Sequence, residues 1–193
     1  MAKLSDFITS RVRIKLLQVF LSQPQEMFYV RQLTRLTDEE INAVRRELAR
    51  MQDAGMLKSE KRGNRLYYHF RASYPFFTEL LSLAVKTSPV GKLVINNRSK
   101  LGFIKFAFIS ERLVRGLPRQ NEEVDLVVIG KVIMPQLDQI VKKLEKKLDT
   151  EINYSSMTED EFHYRKNRKD PFISQVLLQP RIMLIGSQEK LLR

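Results

Sequence analysis

Apolar residues in the first part of the chain recur at helical spacing. Within FITSRVRIKLLQVFL (7–21), Val12, Leu16, Leu17 and Phe20 fall on one face, and Pro24 closes the segment. Val30, Leu33 and Leu36 mark two more turns of helix. Thr37 and Glu40 have the spacing of a capping box. The helix expected after it, EEINAVRRELARMQDAG, buries Ile41, Val44, Leu48 and Met51 and stops at Gly55. MLKSEKRGNRLYYHF then reads as two strands joined by Lys61-Arg62-Gly63-Asn64, with Gly-Asn at the turn.

A further helical run, YPFFTELLSLAVKTS (74–88), has a wide apolar face and is expected to join domains or to pair with its copy in a dimer. Ser88-Pro89 opens the next helix. From there the period alternates. IKFAFIS (104–110), VDLVVIG (124–130), EINYSSM (151–157) and RIMLIG (181–186) read as strands. MPQLDQIVKKLEKKLDT lies between the second and third as an amphipathic helix, and Thr158 to Glu161 caps another. The expected architecture is a two-domain α+β or α/β chain. Residues 1–73 form a helical domain with a hairpin, 74–88 a connecting helix, and 89–193 a small mixed sheet.

Composition narrows the function classes. A chain of 193 residues supports one large domain or two small ones with real cores. It has no cysteine and two histidines, which excludes thiolate metal sites and disfavours a histidine-rich one. No apolar run approaches the ~20 residues of a membrane span, so no membrane partner is expected, and the absence of cysteine makes a cytoplasmic location the default expectation. The net charge of +12 favours polyanionic partners. Residues 1–73 hold 14 Lys/Arg against 8 Asp/Glu, and the longer remainder holds 20 against 14. Basic charge is therefore densest in the first domain.

The segments SRVRIKLLQVF, FYVRQLTRL, INAVRRELARMQDAGML and GNRLYYHF, in that order, resemble the winged helix domains of prokaryotic transcription regulators over residues 7–72. The resemblance implies a helix-turn-helix that binds double-stranded DNA, commonly as a homodimer on two half-sites. A helical wheel sets Glu39, Asn42, Ala43, Arg46, Arg50 and Asp53 opposite the apolar face, with Arg45 at the flank. Asn42 and Arg46 are expected to read base edges. Arg45 and Arg50 suit phosphates, and Lys61, Arg62 and Arg65 of the hairpin suit backbone or minor groove. Asp38, Glu39 and Glu40 are unfavourable neighbours for phosphate.

FISERLVRGLPRQNEEVDLVVIG resembles the signature of the minimal, DNA polymerase beta-like nucleotidyltransferases, and the resemblance extends over about 88–190. That family's pattern is a strand, Gly-Ser, Arg-Gly two residues later, then Asp-x-Asp on the next strand. It implies a triphosphate cradle and carboxylates that hold two Mg²⁺ ions. This chain departs from it. Counted back from Arg115-Gly116, the Gly-Ser pair becomes Glu111-Arg112. Glu123 replaces the first aspartate, beside Glu122, Asp125 keeps the second, and Asn153 falls near the third. The expected reading is a DNA-binding transcriptional regulator whose second domain is catalytically silent and serves sensing or assembly. No catalytic residue, metal or cofactor is expected, with weak Mg²⁺ or nucleotide binding at the altered site left open. The alternatives are an active nucleotidyltransferase modifying protein or RNA, targeted by the winged helix, and an RNA-binding or docking adaptor.

Overall fold

A computed structural model describes residues 3–120 and 123–193. The acidic pair is thus seen only in part, because Glu122 lies outside the described residues. The chain divides into two compact units, Met1–Thr87 and Ser88–Arg193, both mixing helices and strands.

In the first unit a short 3-10 turn (Leu4–Asp6) precedes α1 (Arg11–Ser22), β1 (Phe28–Tyr29), α2 (Val30–Thr37) and α3 (Ile41–Asp53). Strands β2 (Leu57–Arg62) and β3 (Arg65–Phe70) follow, then α4 (Phe77–Thr87). The strands form one antiparallel sheet in the order β1-β3-β2. Phe28 pairs with Tyr68 and Tyr29 with Tyr67, while β2 and β3 form a hairpin closed by Arg62 opposite Arg65. Gly63 turns that hairpin at φ +59°, a conformation that disfavours a side chain. Leu16, Leu17 and Phe20 of α1, Leu33 of α2, and Val44, Leu48 and Met51 of α3 are buried together with Phe28 and Phe70. Phe20 meets Phe28 edge-on at 5.6 Å. Helix α4 packs on α1. It belongs to the first unit, whereas the sequence pattern set 74–88 apart as a connector.

Two local readings change. Thr37 does not cap α3; it is the buried last residue of α2, and its hydroxyl donates to the Leu33 carbonyl at 2.7 Å. Asp38 turns left-handed at φ 51°, which shifts the cap position down the chain. Glu40 takes the role, its Oε2 accepting from the backbone N–H of Asn42 at 2.8 Å and of Ala43 at 2.9 Å. Glu39 does not join the outer face either. Its side chain is only 5% exposed and pairs with Arg11 at 2.9 Å and Lys15 at 2.7 Å. Helix α3 begins two residues after Glu39, so the wheel did not apply to it.

In the second unit come α5 (Pro89–Asn96), α6 (Arg98–Leu101), β4 (Gly102–Ser110), α7 (Glu111–Val114) and β5 (Leu126–Val132). Then follow α8 (Met134–Leu148), β6 (Tyr154–Met157), α9 (Glu159–Asn167), α10 (Pro171–Leu178), β7 (Arg181–Ile185) and α11 (Gln188–Leu192). The sheet order is β6-β5-β4-β7. β4 is antiparallel to both neighbours, and β5 is parallel to β6 with α8 in the crossover. Phe106, Phe108, Val127 and Ile129 meet Phe162 of α9 and Ile173 and Val176 of α10 in one core. Ala107, Ile109, Leu126 and Val128, on the alternate positions, are equally buried. Both faces are covered, which explains why the central strands read as near-continuous apolar runs. At the bulge in β4, a Cβ on Gly130 would lie 2.2 Å from the Phe103 carbonyl, so only glycine fits.

Strands β5 and β6 begin later than the pattern suggested, at Leu126 and Tyr154. The residues before them are engaged in a different way. The Asn153 N–H donates to Asp125 Oδ2 at 2.8 Å, and the Asn153 carbonyl accepts from the N–H of Asp125 at 2.7 Å. A side-chain acceptor thus joins the backbone contacts at this end of the sheet.

Candidate functional site

In the first unit, four arginines from three elements line one concavity. Helix α2 presents Arg31 and Arg35 one turn apart, both exposed. Helix α3 presents Asn42, Arg45, Arg46, Arg50 and Asp53, all exposed, with Ala43 half-buried. Among the described residues, Arg31, Arg35, Arg45 and Arg46 have no ion pair or side-chain hydrogen bond. Arg50 lies 3.7 Å from Glu47. Glu47 itself is buried, bound by Arg13 and by the Ser10 hydroxyl at 3.2 Å, so its charge is held toward α1.

The hairpin closes the far side of this surface. Lys61 is exposed at its end. The Arg65 guanidinium stands 4.8 Å from the centre of the Tyr29 ring. Arg62 is 5.9 Å from the Tyr67 ring and bound to Glu60 at 3.0 Å, which holds the Glu60 carboxyl below its usual range. Between α2, α3 and the hairpin lies a concavity of about 640 Å³, rimmed by Arg31, Arg35, Arg45 and Arg65. Asn64, Leu66 and Tyr68 line it as well, and no acidic residue does. Burial pushes the Tyr68 phenol up, against the opposing charge of Arg45.

The three acidic residues near α3 have separate fates. Glu39 is neutralised by Lys15 and Arg11, whose hydrogen bonds hold its carboxyl low. The Glu40 carboxyl is held low by the N–H groups of Asn42 and Ala43. It therefore occupies the helix N-terminus where a phosphate would otherwise sit. Asp38 is exposed in the turn. What α3 can offer a polyanion is its arginine face.

In the second unit the structure brings Arg112, Glu123, Asp125 and Asn153 together, while Glu111 keeps to its own helix. Glu111 follows β4 and pairs with Arg115 at 3.1 Å. The Arg112 side chain lies 3.3 Å from Glu123 and donates to the Pro118 carbonyl at 2.8 Å. Glu123 is buried and also accepts from the Gln120 N–H at 2.8 Å. Asp125 is buried against the Arg119 guanidinium, which also donates to the Glu151 carbonyl at 2.7 Å. The Asn153 side chain donates to the Glu123 carbonyl at 2.9 Å. Each carboxylate thus has an arginine from the α7–β5 segment as counter-ion. Among the described residues no group of three or more His, Asp or Glu side chains is placed to hold a metal ion. A Mg²⁺ ion, which takes carboxylate oxygens in near-octahedral geometry, would have to displace Arg119 from Asp125.

Sequence reasoning did not single out Arg31, Arg35 or Arg119. The first two were legible as exposed i,i+4 arginines in FYVRQLTRL, and Arg119 as a cation six residues before Asp125. Gln179 was not legible: its buried side chain donates to the Val124 carbonyl at 2.7 Å from a distant segment. Comparison with protein families, characterised proteins and solved structures returns no match for this chain. Among the described residues, no helix is long and apolar enough to cross a membrane.

Proposed function

We propose that the protein is a sequence-specific, duplex-DNA-binding regulator of transcription. In this reading the first unit is a winged helix with α3 as its recognition helix and β2–β3 as its wing. The second unit is a nucleotidyltransferase-like domain without catalysis, used for sensing or assembly, and the working form is a homodimer. One observation carries the reading: unpaired arginines of α2 and α3 and the hairpin's Arg65 converge on one surface while the acidic side chains of Glu39 and Glu47 point away from it. Such a surface attracts a phosphate backbone, and Asn42 and Arg46 beside it have the donors and acceptors to read adenine and guanine edges. The silence of the second unit is supported by the arginines already bound to Glu123 and Asp125.

Selection of duplexes from a random pool by the purified full chain, at stated salt, tests the proposal. Enrichment of one motif, bound at least a thousandfold more tightly than scrambled duplex, is expected of a specific regulator. Recovery of the pool without enrichment overturns it.

A further inference from the structure

The concavity between α2, α3 and the hairpin is more than a flat phosphate-contacting surface. Its volume of about 640 Å³ lies within the range of small-molecule sites. Arg31, Arg35, Arg45 and Arg65 approach it from three different elements. Four guanidinium groups with no carboxylate among the lining residues favour a multiply charged anion over a single phosphate. The remaining wall is different in kind. Val30 and Leu66 supply apolar surface, and Tyr68 and Asn64 supply a phenol and an amide. An inorganic anion has no use for that wall. A planar, partly apolar ring with hydrogen-bonding edges does.

We propose that this concavity binds a phosphorylated nucleoside, with its phosphates on the arginine rim and its base against the Tyr68–Leu66 wall. The nucleoside has two sources: a free nucleoside triphosphate, or the 5′-phosphorylated end of a single strand. Both present the same chemistry. Arg45 and Arg65 also belong to the proposed duplex surface, so occupancy by nucleotide competes with duplex, and duplex with nucleotide, by the same factor. That regulatory consequence rests on the DNA-binding reading. The nucleotide site itself does not.

The test uses the full chain, with fluorophore-labelled ATP and GTP as probes followed by anisotropy. Unlabelled nucleoside triphosphate, inorganic tripolyphosphate, a 5′-phosphorylated single strand and a blunt duplex serve as competitors. Saturable binding is expected, with nucleoside triphosphate displacing the probe at concentrations at least tenfold lower than tripolyphosphate. The Arg31→Ala/Arg35→Ala variant should bind the probe at least tenfold more weakly with unchanged thermal unfolding, since both side chains are exposed and unpaired. Tighter displacement by the single strand assigns the site to strand ends, and tighter displacement by free nucleotide assigns it to a soluble effector. No saturable binding, equal displacement by tripolyphosphate, or indifference to the double substitution overturns the proposal. Arg46→Ala separates the two readings, because it should weaken duplex binding and leave the probe unaffected. A chain that binds nucleotide but no duplex would end the regulator reading and leave this site standing.

Discussion

The Arg65 guanidinium stacks 4.8 Å from the Tyr29 ring, joining the tip of the β2–β3 hairpin to the residue that opens α2. The stack orients an exposed cation that would otherwise sample many rotamers. Arg65→Ala is expected to weaken binding to every duplex tested. The slope of log K against log salt should become shallower by about 1 unit, the share of one phosphate contact. Arg62→Ala should change the slope less, because Arg62 is already bound to Glu60. Equal changes for both would show that the Glu60 pair does not survive on DNA.

Arg46 is exposed and unpaired on the first half of α3, where base edges are reached. Arg46→Ala should cost about 1–3 kcal/mol on the selected motif and relax preference at one base pair. A binding matrix over all single-base changes of the motif measures this. Uniform weakening at every position would make Arg46 a phosphate contact instead.

Stability of the first unit should fall in acid through Glu40 and Glu39. Both carboxyls are held below their ordinary value in the folded chain, Glu40 by backbone N–H groups and Glu39 by Lys15 and then Arg11. A depressed folded value means that the stabilisation is complete above the unfolded pKa, about 4.3, and is lost as pH falls through the folded value. Glu40→Ala should lower Tm at pH 7, and the gap to the native protein should close below about pH 4. A gap that stays constant from pH 7 to pH 3 would show that the Glu40 charge contributes nothing.

Arg119 is 38% exposed and Asp125 only 4%, so removing the arginine leaves a buried carboxylate without its counter-ion. Breaking a fully buried pair from one side costs about 3–5 kcal/mol, and the exposure of Arg119 lowers the expectation to roughly 2 kcal/mol. Arg119→Ala should therefore lower the denaturant midpoint of the second unit. Arg119→Ala/Asp125→Asn should recover part of the loss. Additive losses in the double variant would mean that the two side chains are not coupled.

The same pair bears on chemistry. With Mg²⁺ or Mn²⁺ and labelled nucleoside triphosphates, the native protein is expected to transfer no label to itself, to RNA or to co-purified protein. Metal-dependent transfer abolished by Asp125→Ala would return the second unit to the enzymes.

The elements were legible where one periodic signal dominated. The hairpin was read from Gly63-Asn64 between two strand-like runs, and α5 from Ser88-Pro89; both stand where the pattern put them. Errors arose where a side chain answers to a distant partner. Thr37 has the spacing of a cap, but the left-handed turn at Asp38 hands that role to Glu40. Glu39 looks exposed on a wheel, yet α1 supplies two cations that draw it inward. Glu47 was not singled out at all, and Arg13 and Ser10 explain its burial. In the second unit the carboxylates Glu123 and Asp125 were legible, but not their pairing with Arg112 and Arg119. Arg119 reaches Asp125 through a segment without regular structure, which periodicity does not describe.

β4 lies between β5 and β7, and residues 111–180 separate its end from the start of β7. During synthesis, Met1–Thr87 has its whole sheet, β1-β3-β2, before β7 exists. The second unit does not. Until Arg181–Ile185 leave the ribosome, the last residues of β4 present an open backbone edge beside Phe106 and Phe108, the hazard of any unpaired apolar strand. The nascent chain thus passes through an interval with one finished unit and one adhesive sheet. Newly made protein in that interval is where chaperone demand, and aggregation on heat stress, should concentrate.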